Sequence, residues 1–267
     1  MDHLSISQLN MLSFCGEQYR RRYILGEKIP PGVSLLVGRA TDNSVNANMS
    51  NKIDTGELIS LEQAKDVARD SLNNEWDREG VLLTDDEAKE GVKKVKGEAV
   101  DKSIRLSSLH YTDLAPIIKP THVQRKWELD MKDYSIILIG YIDLQEGPKS
   151  IRDTKTAKKS PPDNAADTSE QLTMYALAAK ILDGAIPERL YLDYLVDLKT
   201  PKAVSRDTTR TETDFTPLFK RIEIALKILE TGLFMPARHD HYLCNPNYCG
   251  YYRTCPYVRQ SVFPMGG

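Results

Sequence analysis

Asp143, Asp153 and Lys155 lie in one short stretch, IGYIDLQEGPKSIRDTKTAKK (residues 139–159), whose pattern brings them together. The run ILIGYIDL is apolar and β-branched, SIRDTKT has strand composition, and EGPK between them carries Gly147 and Pro148. This pattern predicts a β-hairpin. Asp143 and Asp153 are equidistant from Pro148, so a turn centred there sets their carboxylates opposite each other on antiparallel strands, with Cβ atoms on the order of 5 Å apart. Lys155, two residues on, shares the face of Asp153. Two carboxylates at ~4 Å repel by about 4 kcal/mol at an effective dielectric of about 20. A divalent cation offsets that repulsion, since Mg²⁺ is held by one or two carboxylates plus water and phosphate oxygens. A lysine beside it could orient or help deprotonate a water next to a phosphodiester while the ion stabilises the developing charge. The same residues also fit a solvated hairpin with an Asp/Lys ion pair worth ~0 to 1 kcal/mol.

The second cluster is sulfur. Of four cysteines, Cys15 stands near the start and Cys244, Cys249 and Cys255 share LCNPNYCGYYRTCPY. Such clustering in a reducing compartment favours metal over disulfides. Four thiolates suffice for a tetrahedral Zn²⁺ site or a four-iron cluster, and either would pin the C-terminus to the first helix. Free buried cysteines are the plain alternative. The turn-rich, aromatic segment 236–257 calls for such a staple; Tyr248, Tyr251 and Tyr252 suit packing around it, or stacking on bases.

A net charge of −2 over 267 residues excludes no partner class. A local basic groove is enough to hold nucleic acid, and Arg20 to Arg22, Lys155 with Lys158 and Lys159, and Lys199 with Lys202, Arg206 and Arg210 are candidates for one, or for ordinary solvated faces. No apolar run approaches the ~20 residues of a membrane span, and MDHLSISQLN lacks a signal-peptide core, so a cytoplasmic protein without membrane contact is expected.

These groups need positioning. SISQLNMLSFCGEQYRRRYIL reads as one helix capped at Ser7 with Cys15 inside it. Further helices are expected over 35–51, 61–78 and 85–109, then a strand meander over 123–131, 135–144 and 150–156. DTSEQLTMYALAAKIL is a helix capped at Asp167 or Thr168, with Gln171 and Tyr175 on one face. ERLYLDYLVDLK alternates as a strand. FTPLFKRIEIALKILETG forms a helix with Leu218, Phe219, Ile222, Leu226 and Leu229 on one stripe, stopped by Gly232. The expected fold is α/β: a mixed central sheet flanked by helices, in three parts. These are an N-terminal helical region (1–115), a core (116–235) and a C-terminal cysteine segment (236–267).

In this order the motifs resemble the PD-(D/E)XK nuclease superfamily, with its restriction-endonuclease-like fold. The closest likeness is to RecB-like exonucleases that carry an iron-sulfur cluster, among them CRISPR-adaptation exonucleases and phage relatives. GYIDL carries Asp143, DTKT carries Asp153 and Lys155, QLTMY matches a Q-x-x-x-Y helix through Gln171 and Tyr175, and Cys15, Cys244, Cys249 and Cys255 match the cysteine set. The resemblance implies a 4Fe–4S cluster rather than zinc, a Mg²⁺ or Mn²⁺ site on Asp143 and Asp153, and cleavage of single-stranded DNA from an end more readily than internally. A helicase or recombination partner fits the same family. One departure stands out: where the family usually has a histidine four residues after a helix glycine, GRATD places Asp42 after Gly38. Asp42 is either a further oxygen ligand or an ordinary exposed helix residue. A module that keeps the fold and cluster but only binds DNA or a partner is the competing expectation, and Asp42 is its best support.

Overall fold

The hairpin around Pro148 forms. β3 (Ile136–Glu146) and β4 (Ser150–Ala157) pair antiparallel through Leu144↔Arg152, Gln145↔Ile151 and Glu146↔Ser150, and Gly147 takes the positive φ (60°) of the turn. The computed structural model describes residues 3–132 and 136–258; Ser135, the expected start of the middle strand, lies outside the described residues.

β3 is also the partner of β2 (His122–Met131) along almost its whole length, antiparallel, and of the short β1 (His3–Leu4), parallel, at Ile137 and Leu138. From β4 the sheet continues through β5 (Arg189–Val196), parallel, to β6 (Lys202–Thr208), antiparallel. α7 (Glu170–Asp183) makes the crossover from β4 to β5. β6 was not anticipated. KAVSRDT carries no apolar alternation, as befits an outer strand at the end of the sheet order.

Two apolar cores flank the sheet. α1 (Ile6–Phe14), α7 and α8 (Phe215–Thr231) close over Ile142, Ile151, Leu190 and Leu192. On the other side α3 (Val33–Thr55), α4 (Leu61–Glu79) and α6 (Val92–Asp113) meet Leu144 and Leu195. Leu192 and Leu195 differ in parity along β5, which is why they enter opposite cores.

Several boundaries differ from expectation for local reasons. The first cap is Ser5, not Ser7, because Ser5 and Gln8 form a reciprocal capping box. Cys15 is not helical: with φ −156° and ψ 102° it separates α1 from α2 (Gly16–Tyr19), its sulfur accepting from the Gln18 N–H. The helix expected over 85–109 is split at Gly91 (φ 92°) into α5 (Asp85–Glu90) and α6. Ser169 caps α7, while Asp167 accepts a bond from Thr208. On α8 Phe219 is 40% exposed, and Phe215 and Ala225 complete the buried stripe.

Candidate active site and cysteine cavity

Asp143 and Asp153 are the next opposed pair beyond Leu144↔Arg152, and there the β3–β4 ladder ends. β3 goes on with β2 and β4 with β5, so the two strands fork at the aspartates. On the far face of β4, Arg152 holds the base of the fork. Its guanidinium bonds Glu146 at the end of β3 (2.9 Å) and Asp193 on β5 (3.0 Å), and lies over the Tyr191 ring.

Within the fork the polar groups form one connected chain. Lys155 Nζ donates to Asp153 Oδ1 (3.0 Å) and Gln171 Oε1 (2.8 Å). Gln171 Nε2 donates to the Tyr175 hydroxyl (2.8 Å), which donates to Asp143 Oδ1 (3.0 Å). Gln171 and Tyr175 reach both aspartates because they sit one turn apart on α7. Asp153 is fully buried. Its Oδ2 forms a 2.7 Å ion pair with Lys155 Nζ but is off the line of a hydrogen bond.

Burial raises both Asp143 and Asp153 above the usual carboxylate range. For Asp153 the Lys155 charge opposes this and the neighbouring Asp143 carboxyl adds to it. Burial works against the charge on Lys155 too, but Asp153 outweighs it and holds the ammonium above its ordinary range. Asp42, reaching in from α3, is pushed up to about 6 by burial and then by Asp153. It is therefore no exposed helix aspartate. Tyr194 was missed as a site residue. The parallel register sets it beside Lys155 on β5, and its phenol is raised by burial, with Lys155 and Asp153 both acting on it.

An all-oxygen donor set, two neighbouring carboxyls and a buried Oδ2 met only by the Lys155 ammonium suit a hard divalent cation. Among the described residues no group of three or more His, Cys, Asp or Glu side chains stands ready-arranged around one ion. At the fork the carboxyls are instead turned onto each other and onto Lys155.

All four cysteines are free and line a single cavity with Phe14, Arg21, His241 and Tyr251. Cys15 Sγ accepts from the Gln18 and Ala237 N–H groups (3.4 and 3.3 Å). Burial pushes the Cys244 and Cys249 thiols up, and Cys15 and Cys255 add to it. Tyr251 is buried against this cavity, whereas Tyr248 is exposed.

The basic candidates divide. Lys158, Lys159, Lys199 and Lys202 are exposed near the C-terminal end of β4 and around β6. Arg20 and Arg21 are tied to Glu17 and Glu27 (2.7 and 2.6 Å), and Arg206 to Asp163 (2.8 Å). Arg210 is not a surface group: it is buried and donates to the carbonyls of Ala166, Asp167 and Ser169, fixing the approach to α7.

The chain belongs to the PD-(D/E)XK nuclease superfamily, whose family model matches residues 3–256. That defines it as a protein of a nuclease class, one whose members typically use Mg²⁺ or Mn²⁺. In fold it is similar to the crystal structure of an exonuclease candidate from Eubacterium rectale, with a TM-score of 0.56 and 13% identity over 99% of this chain and 92% of that one. The structure of SSO0001 aligns with a TM-score of 0.33 and 12% identity over 95% of this chain and 96% of that one, too low to bear on the fold. No curated protein matches the sequence. Among the described residues no helix is long and apolar enough to cross a membrane.

Proposed function

We propose that this protein is a divalent-metal-dependent deoxyribonuclease that hydrolyses phosphodiester bonds of single-stranded DNA, acting from an end. The observation that carries this reading is the fork: two opposed aspartates, one of them fully buried, and a half-exposed charged lysine at the point where two strands separate. Asp143, Asp153 and Asp42 would hold Mg²⁺ or Mn²⁺ through oxygen. Bound there, the ion supplies Lewis-acid stabilisation of charge on the phosphate and a more acidic water. Lys155 has three N–H donors and gives two of them to Asp153 and Gln171. The third can meet a phosphate oxygen or orient the attacking water, and the raised pKa favours that role over proton abstraction. Gln171 and Tyr175 hold Lys155 and Asp143 in register. The exposed lysines at 158, 159, 199 and 202 suit backbone phosphates, a contact that weakens steeply with salt. Preference for single strands and ends draws on the resemblance to RecB-like exonucleases and on the likeness to the exonuclease candidate.

The cysteine cavity is read as the seat of a 4Fe–4S cluster acting as a structural clamp. A zinc ion would draw all four sulfurs to within about 2.3 Å of one centre. A four-iron cluster takes one thiolate per iron around a larger body, and the four cysteines that line this cavity supply that number.

The test is cleavage of single-stranded DNA labelled separately at each end, with Mg²⁺, Mn²⁺ or EDTA, by anaerobically prepared protein beside Asp153→Asn. Metal-dependent shortening from one label, at least about 100-fold slower in the variant, is expected. A folded wild type that binds DNA and leaves it whole in both metals would defeat the reading.

A further inference from the structure

The β2–β3 ladder runs unbroken from His122↔Gln145 to Met131↔Ile136 except at one position, where Gln124 stands opposite Asp143. Gln124 has φ 48°, and among the described residues no other non-glycine residue has a positive φ. L residues with a Cβ are disfavoured there, and glycine is the residue that adopts it freely. The neighbours pair normally, Val123 with Leu144 and Arg125 with Ile142, so the distortion neither inserts a residue nor shifts the register. It changes one side chain's direction. That side chain brings its Nε2 to 3.5 Å from Asp143 Oδ1, the oxygen that also takes the Tyr175 hydroxyl.

Resting on the nuclease reading of the fork, we infer that Gln124 is a positioning residue for the metal site: its strained backbone aims an amide at Asp143 so that the carboxylate presents its other oxygen to the divalent ion. Tyr175 approaches Oδ1 from α7 and Gln124 from β2, so the two donors address one oxygen from different elements. With Oδ1 occupied from both sides, the carboxylate plane cannot turn freely and Oδ2 is the oxygen left for the ion. Such outer partners commonly set metal affinity as strongly as the ligands do. Strain retained at a single residue beside a reactive group is the pattern expected where a local conformation serves the site rather than the fold.

Two variants separate the amide from the strain. Gln124→Gly removes both, and Gln124→Met keeps the length and the strained backbone but has no donor. Mn²⁺ binding to each metal-free protein is measured by titration calorimetry, beside thermal midpoints and the Mn²⁺ concentration that half-saturates cleavage. Both variants are expected to bind Mn²⁺ about tenfold more weakly and to need correspondingly more Mn²⁺, with kcat restored at saturating metal. Only Gln124→Gly is expected to melt at a higher temperature than wild type. Wild-type Mn²⁺ affinity in Gln124→Met would overturn the inference while leaving the nuclease reading intact. If wild type and Asp153→Asn alike take up no Mn²⁺, both fall together.

Discussion

The carboxylate fork and the cysteine cavity are built in opposite ways. Every group of the fork rides on regular structure: Asp143 on β3, Asp153 and Lys155 on β4, Gln171 and Tyr175 on α7. Its geometry follows from sheet register and one helical turn, so it is present whether or not an ion is bound. The cavity joins Cys15, between two helices, to three cysteines on residues 236–258, whose one helical turn among the described residues is Tyr252–Thr254. That segment is held by few contacts. Gly16 N–H donates to the Met235 carbonyl (2.7 Å), an approach so close that a Cβ on Gly16 would meet the Met235 backbone at 2.8 Å. Arg21 stacks on Tyr251, the Tyr251 hydroxyl bonds the Glu27 carbonyl, and Arg253 pairs with Asp85 (2.8 Å). The fork keeps its acidic groups inside a finished scaffold, whereas the cavity's segment, on the proposed cluster reading, relies on a ligand to hold it.

Removing one side chain from each site should move stability in opposite directions. Burial holds Asp153 at about 8, so in metal-free protein at neutral pH the folded state must bind a proton that the unfolded carboxylate sheds, and this favours unfolding. Asp153→Asn removes that proton demand and keeps the shape, and the thermal midpoint should rise by a few degrees while cleavage is lost. On the proposed cluster reading, Cys249→Ser removes one cluster ligand and should cost about 3 kcal/mol or more, lowering the midpoint by about 10 °C. Loss of bound iron and rapid proteolysis within 236–258 should accompany it, with cleavage by the surviving folded fraction near normal. Scanning calorimetry and iron analysis of the two variants decide the matter. Shifts in the same direction would erase the contrast.

The same contrast governs what could be read from the sequence. Asp143, Asp153 and Lys155 are legible because alternation in a strand and a symmetric turn are local facts, and Gln171 with Tyr175 because four residues make one helical turn. Asp42 is legible as a helix residue, but that it faces Asp153 depends on how α3 packs on the sheet. Tyr194 needs the β4–β5 register, which a long crossover does not disclose. Gln124 leaves no trace, since glutamine carries no preference for positive φ. Arg210 reads as one more basic residue because burial of a guanidinium beneath three carbonyls is a tertiary event. Cys15 reads as helical because its neighbours are helix formers, while its sulfur in fact caps the next turn.

A control on the scaffold lies behind the fork, on the helical layer that faces Arg152. His110, on α6, is buried, its Nε2 has no partner, and burial followed by the Arg152 charge pushes its pKa down from 6.5 to about 4. The unfolded chain therefore binds a proton below pH about 6.5 that the folded one refuses. Stability is full above that pH and falls as pH drops toward 4, by about 3 kcal/mol in total. In His110→Gln this share of the acid loss should vanish, as urea titrations at pH 7, 5.5 and 4.5 would show. An unchanged pH slope would mean that carboxylates held below their usual range, such as Glu146, Asp183 and Asp197, carry the acid sensitivity instead.

The smallest effect expected tests whether the fork's hydrogen bonds act as one chain. Tyr175 is buried, and its hydroxyl both donates to Asp143 and accepts from Gln171, with burial and then the Asp143 charge pushing the phenol's pKa well up. Tyr175→Phe keeps the ring and its packing but leaves Asp143 Oδ1 and Gln171 Nε2 each short of a partner, a loss of about 1 kcal/mol. Cleavage should fall about tenfold through weaker metal binding, because a freed Asp143 carboxylate can rotate and a freed Gln171 holds Lys155 less firmly. Tyr251→Phe is the matched change at the cavity, deleting a hydroxyl that bonds only the Glu27 carbonyl. It should cost similar stability and leave cleavage untouched. Equal cleavage in the two variants would show that the fork is held by sheet register alone and that its side-chain chain contributes nothing to the chemistry.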